Sequence, residues 1–224
     1  ANRRLRTNIA RIQKVYDEVE QDLFRPVQSC GRIRAHPLPD LNLWGHAAVS
    51  INTGEEKGDL DLLVFGGYGR GPSVLVSGCV REASKASRRS DKIYCLRRSS
   101  GAWDSNWHQV DQEDLQPDAA NAHEETSQLG ITVRNAAFTA REGAAACILP
   151  GTSLVAIFGG RRGPAQPLDE LFLYAYPDRH FQQPVDVRGS RPLARWGHSL
   201  TALSGEDGKL AVLVGGRSET AGLD

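Results

Sequence analysis

Several residue groups in this sequence are of types that do chemistry. Gly66-Gly67-Tyr68-Gly69-Arg70-Gly71 has the glycine density of a loop whose backbone N–H groups cradle phosphate. Such a loop needs a strand before it and a helix opening after it, so that the helix N-terminus faces the anion. An apolar strand pattern precedes the run, at Leu62-Leu63-Val64-Phe65, but no helical pattern follows. The run therefore reads as a turn between strands. His46 and His198 carry ring nitrogens suited to an acid, a base or a metal ligand. Both, however, close a Trp-Gly-His triplet, 152 residues apart (46 to 198), and a repeated position points to structural hydrogen bonding. His123-Glu124-Glu125 lacks the second histidine of a zinc helix, and the chain has no Gly-x-Ser-x-Gly elbow. Cys30, Cys79, Cys95 and Cys147 include no Cys-x-x-Cys pair and no Cys/His pair at zinc spacing, which fits unpaired thiols in a reduced intracellular protein. No catalytic, cofactor-binding or metal-binding residue is assigned.

The remaining chemistry is electrostatic. Lys+Arg and Asp+Glu are both 27, so no overall field draws the chain to nucleic acid or membrane. The balance hides two blocks. Between Arg70 and Arg98 lie eight basic residues against Glu82 and Asp91, whereas Asp104 to Glu125 holds seven acids and no Lys or Arg. A like-charge run is usually a solvated loop. The functional alternative is a surface for RNA phosphates, with Arg88, Arg89, Arg97 and Arg98 as contacting residues and salt-sensitive binding as its signature. Trp103 and Trp107 are of the type that stacks on bases, though the outer strand of a sheet explains them as well.

The elements that would position these residues change character along the chain. Leu5, Ile9, Ile12, Val15 or Tyr16, Val19 and Leu23 recur at steps of three and four, which predicts an amphipathic helix within residues 1–25. Its arginines come early and its acids late, against the helix dipole, so its apolar stripe needs a partner. Pro26 ends it, and residues 26–40, with Gly31, Pro37 and Pro39, read as a linker. No run approaches the ~18–20 apolar residues of a spanning helix. A hydrophobic fraction of 40% with 24% charged residues is that of a folded globular chain.

From Leu41 onward the pattern is strand-like and repeats. Leu43-Trp44-Gly45-His46 leads to Leu62-Leu63-Val64-Phe65-Gly66-Gly67. Arg141-Glu142-Gly143-Ala144 leads to Val155-Ala156-Ile157-Phe158-Gly159-Gly160, and Arg195-Trp196-Gly197-His198 leads to Val212-Leu213-Val214-Gly215-Gly216. The first two units continue into a strand with a tyrosine, at Ile93-Tyr94-Cys95-Leu96 and Leu171-Phe172-Leu173-Tyr174, and into a fourth strand near Trp107–Val110 and Phe181–Val187. The Gly-Gly pairs stand 93 (66 to 159) and 56 (159 to 215) residues apart. A repeat of ~50 residues accounts for the second spacing. The first then carries an insertion at residues 71–89 and 111–129, where the basic and acidic blocks lie.

These motifs resemble the Kelch β-propeller family, whose four-stranded blades pack radially. The resemblance implies an all-β chain: a partial propeller of about three blades, at about 41–135, 136–190 and 191–224, the last incomplete, preceded by one helix. A closed propeller needs at least four blades, so the segment is expected to be part of a longer chain. Leu41-Asn42-Leu43-Trp44-Gly45-His46-Ala47-Ala48-Val49 with Phe65-Gly66-Gly67-Tyr68-Gly69-Arg70-Gly71 is similar to the first blade of plant and algal tRNA wybutosine-synthesising fusion proteins. Ala1-Asn2 with Asn8 and Arg11-Ile12 is similar to the closing helix of their methyltransferase domain, wybutosine-synthesising protein 3. Trp103-Asp104-Ser105-Asn106-Trp107 and Gly215-Gly216-Arg217-Ser218 also resemble the Kelch-bearing carboxymethyltransferase of that pathway.

What the resemblance implies is a cytoplasmic, S-adenosylmethionine-dependent protein that modifies the guanosine beside the anticodon of phenylalanine tRNA. The visible part would be a noncatalytic scaffold or an RNA- or protein-binding surface, and the cofactor would belong to the full-length protein. The competing expectation is a Kelch adaptor without enzymatic activity that binds protein partners through its loops.

Overall fold

The computed structural model describes residues 40–53, 58–72, 74–76, 79–81, 88–110, 124–176, 178–205 and 208–218. The helix expected within residues 1–25 and almost all of the linker lie outside them. The described residues are all-β, and every sheet is antiparallel.

The strands in chain order are β1 (Leu41–Trp44), β2 (Ala47–Asn52), β3 (Leu60–Phe65), β4 (Tyr68–Pro72), β5 (Val74–Val76), β6 (Cys79–Arg81), β7 (Arg88–Arg89), β8 (Ile93–Ser99), β9 (Ala102–Trp103) and β10 (His108–Val110). There follow β11 (Glu124–Thr126), β12 (Thr132–Asn135), β13 (Glu142–Ile148), β14 (Leu154–Gly163), β15 (Gln166–Pro167), β16 (Leu171–Ala175), β17 (His180–Pro184), β18 (Trp196–Gly205) and β19 (Gly208–Arg217). Strands β2, β3, β8 and β10 form one four-stranded meander, and β13, β14, β16 and β17 form a second. Strands β18 and β19 form a two-stranded sheet, and β5–β6 is a separate hairpin within the basic stretch. The fourth strands expected near residues 107–110 and 181–187 are thus present.

One boundary differs from the sequence reading. Residues 124–135, counted with the first repeat on spacing, belong to the second sheet: Val133 pairs with Pro184 and Arg134 with Gln183, so β12 and β11 extend it beyond β17. Backbone pairing across such a distance leaves no mark in local sequence.

The continuous apolar runs are explained by burial on both faces. In β3, Leu63 and Phe65 point to the second sheet while Val64 packs with Leu43, Tyr94, Leu96 and Trp107 on the other side. In β14, Val155 and Ile157 face the first sheet, whereas Leu154 and Ala156 face away, with Leu200 and Ala202 of β18 packed against their cluster. Aromatic rings fill the space between the first two sheets. Phe65 meets Tyr174 edge-on at 5.3 Å between centroids, and Phe138 stacks on Phe181 at 4.7 Å. Each such fully buried side chain contributes roughly 1.5–3 kcal/mol. The last hairpin is less covered: Leu203, Leu210 and Val214 are exposed.

Backbone hydrogen bonds join the units in the same way twice. Gly67 N donates to Arg141 O (2.8 Å), and Gly160 N donates to Arg195 O (2.9 Å). Arg141 N returns to Ser90 O (3.2 Å), and Arg195 N to Leu168 O (3.0 Å). The carbonyl of the arginine position presses on the first glycine of each pair: a Cβ at Gly66 would lie 2.7 Å from Arg141 O, and one at Gly159 would lie 2.5 Å from Arg195 O. Both glycines also have φ near +65° (+64 and +67), so two independent constraints exclude a side chain there.

Candidate functional site: a basic and aromatic edge

The repeat puts two positions opposite each other at the Gly-Gly end of every unit. One precedes the glycine of the opening triplet and the other follows the Gly-Gly pair. The cross-strand partners are Trp44 and Tyr68, Glu142 and Arg161, and Trp196 and Arg217. The side chains then connect from unit to unit. Trp44 lies 5.3 Å from Tyr68 between ring centroids, and the Arg89 guanidinium sits 5.6 Å from the Tyr68 centroid. Arg89 Nη2 donates to Glu142 Oε1 at 2.8 Å, and Arg161 Nε donates to the same oxygen at 2.9 Å. The Arg161 guanidinium stacks 3.8 Å from the centroid of Trp196, which Arg217 also approaches at 5.5 Å.

The result is a ladder of rings and guanidinium groups across three units. Glu142 is its acid, 2% exposed, and its Oε2 has no hydrogen-bond partner among the described residues. It lies between two arginines, which compensates the burial of a carboxylate. Arg88 and Arg217 are exposed and Trp44 is 55% exposed, so cations and an aromatic face remain accessible. Planar rings beside guanidinium groups can hold a single-stranded backbone and stack on its bases.

A second arginine position supports this edge from beneath. Arg141 is fully buried, its guanidinium between Phe138 and Phe172 at 4.9 and 4.7 Å. It donates to Thr139 O, Gly159 O and the Glu170 carboxylate. Burial pulls its pKa below the usual arginine value, partly offset by Glu170. Arg195 repeats the arrangement, donating to Leu193 O and Gly215 O. Leu43 holds the corresponding place in the first unit and is buried in the core there.

The four arginines singled out from sequence do not form one patch. Arg88 and Arg89 lie in β7, paired with Gly69 and Tyr68 at the Gly-Gly end. Arg97 and Arg98 lie at the far end of β8, opposite Asp61 and Leu60. Arg97 makes two bonds to the Asp61 carboxylate (2.9 and 3.0 Å), and Arg98 donates to Gly58 O (2.9 Å). Sequence reasoning missed Arg161 and Arg217, although their position directly after a Gly-Gly pair was a readable signal. Trp107 is 6% exposed and packs with Leu96, which makes it a core residue. His46 Nδ1 donates to Leu43 O (3.2 Å), and His198 is buried edge-on to Phe158 at 5.5 Å.

No protein-family model, no curated protein and no solved structure matches the chain.

Proposed function

We propose that residues 41–217 are consecutive Kelch blades of a propeller arc, and that this arc is a noncatalytic scaffold in a tRNA-modifying protein of the wybutosine pathway. Its role is to hold phenylalanine tRNA along the Gly-Gly edge while an S-adenosylmethionine-dependent domain of the full-length cytoplasmic protein acts on the guanosine beside the anticodon. The ladder from Trp44 and Tyr68 through Arg89, Glu142 and Arg161 to Trp196 and Arg217 carries this reading, because it sets rings beside guanidinium groups and leaves Arg217, and Arg88 next to Arg89, exposed. Arg97 is excluded from it by its pairing with Asp61, and Arg98 by its place at the opposite end.

The test is filter binding of phenylalanine tRNA to the 224-residue chain across a salt series. Affinity should fall linearly on a log–log plot, and Arg88→Ala with Arg217→Ala should each lower the slope by about one. Arg98→Ala should leave it unchanged. Absence of binding at low salt rejects the RNA-holding role and favours the protein-adaptor alternative.

A further inference from the structure

At the end of the strands opposite the Gly-Gly pairs, a cavity of about 250 Å³ opens between the first and second four-stranded sheets. Its chemistry is lopsided. Asp61, 1% exposed, has both oxygens occupied: Oδ1 accepts from Arg97 Nε, and Oδ2 accepts from Arg97 Nη2 and from the Tyr176 hydroxyl at 2.7 Å. The Cys95 thiol also bonds this carboxylate. Asp61 therefore offers little to a ligand. What remains free is donor capacity. The Tyr174 hydroxyl lines the cavity, belongs to a side chain that is 0% exposed, and has no hydrogen-bond partner among the described residues. A buried hydroxyl left unsatisfied is costly, which marks a place where a ligand atom belongs.

Arg179 supplies the charge. It lines the same cavity and pairs with no acid among the described residues. It stands in the turn joining β16 to β17, where its N–H donates to Ala175 O at 2.8 Å, and its φ is +60°. That backbone region is disfavoured for a residue with a side chain, and such outliers gather at ligand clamps. At the rim, His108 and Asp104 are paired with each other at 3.2 Å.

We propose that this cavity binds a small oxyanion, a molecule with one carboxylate or phosphate group held by the Arg179 guanidinium and the Tyr174 hydroxyl. The volume is below the ~300–1,000 Å³ of pockets that hold drug-sized ligands, so the occupant has few heavy atoms. Burial keeps the Tyr174 hydroxyl protonated and hence a donor. The site lies at the far end of the sheets from the proposed RNA edge and does not depend on it.

The experiment is isothermal titration of the full chain with inorganic phosphate, with acetate, and with putrescine as a cationic control. Saturable one-site binding of phosphate or acetate is expected, and whichever binds more tightly identifies the group. Arg179→Gly suits the positive φ, so its urea midpoint should not fall below that of the parent, yet its anion affinity should drop about tenfold or more. Tyr174→Phe keeps the ring and should weaken binding to a similar degree. Arg191→Ala, an exposed arginine that does not line the cavity, should leave it unchanged. Absence of saturable anion binding, equal affinity in Arg179→Gly and the parent, or binding of putrescine alone would each overturn the proposal.

Discussion

The junction between units makes a quantitative prediction at Gly159. A Cβ there would lie 2.5 Å from Arg195 O and 2.9 Å from His198 Cε1, against ordinary contact at 3.4 Å or more. The carbonyl must retreat by about 0.9 Å, the difference between 3.4 and 2.5 Å. It is the same carbonyl that accepts from Gly160 N at 2.9 Å, so Gly159→Ala strains or breaks that bond. An L-residue in the left-handed region costs about 1–2 kcal/mol, and an unsatisfied buried backbone group costs about 1–3 kcal/mol more. Together these give a loss of about 3 kcal/mol. Gly151→Ala is the control, because Gly151 has a φ of +66° and nothing within 4 Å of its Cβ position. It should lose only the backbone term, about 1–2 kcal/mol. With a urea slope of about 2 kcal/mol per molar, the midpoints should fall by about 1.5 M and about 0.5–1 M. Gly66→Ala should match Gly159→Ala, since its Cβ would meet Arg141 O at 2.7 Å. Losses for Gly159→Ala and Gly151→Ala agreeing within about 0.5 kcal/mol would refute the close approach as the reason for glycine.

Other outcomes follow from the buried polar groups. Arg141→Lys keeps the charge but not the fork that reaches Thr139 O, Gly159 O and Glu170 together, so urea unfolding should show a loss of about 3–5 kcal/mol, well above that of Arg195→Lys in the half-buried equivalent. Burial and the neighbouring Asp61 push the Cys95 thiol up to about 12. Thiolate is then about one part in ten thousand at pH 8, and Cys95 should react with a maleimide no faster than the chain unfolds; rapid labelling of the folded protein would contradict this. Burial raises the Asp61 pKa, but the hydrogen bonds from Arg97 and Tyr176 outweigh it and leave the carboxyl below its ordinary value. Its contribution is whole above about pH 4 and is lost as the pH falls through the folded-state value, so Asp61→Asn should flatten the acid dependence of the urea midpoint below pH 4. Equal acid dependence in both proteins would show that Asp61 is not held as described.

Much of the fold was legible because its signals are local. Apolar runs ending in Gly-Gly mark β3, β14 and β19, and the triplets Trp44-Gly45-His46 and Trp196-Gly197-His198 mark the junctions. The strand pairing of residues 124–135 was not legible, since β12 joins β17 some 50 residues later and no local pattern encodes that partner. The two tyrosines of the third strands were readable as a feature but not as a register. Tyr94 pairs with Val64 and Phe172 with Ile157, so Tyr94 corresponds to Phe172, and Tyr174 lies two residues further along. The basic block looked continuous in sequence, yet β8 carries Arg97 and Arg98 to the end of the sheet away from Arg88 and Arg89. The Asp61, Arg97 and Tyr176 cluster joins residues up to 115 positions apart and had no sequence signature.

The proposed function requires RNA to lie along the Gly-Gly edge. Photocrosslinking of the anticodon stem-loop of phenylalanine tRNA to the chain, followed by peptide mapping, tests it directly. Crosslinks at Trp44, Tyr68 or Trp196 are the expected result, because these rings belong to the ladder beside Arg89, Arg161 and Arg217. Crosslinks confined to the peptide around Arg97 and Arg98, or no crosslink under conditions where the tRNA binds, would contradict it.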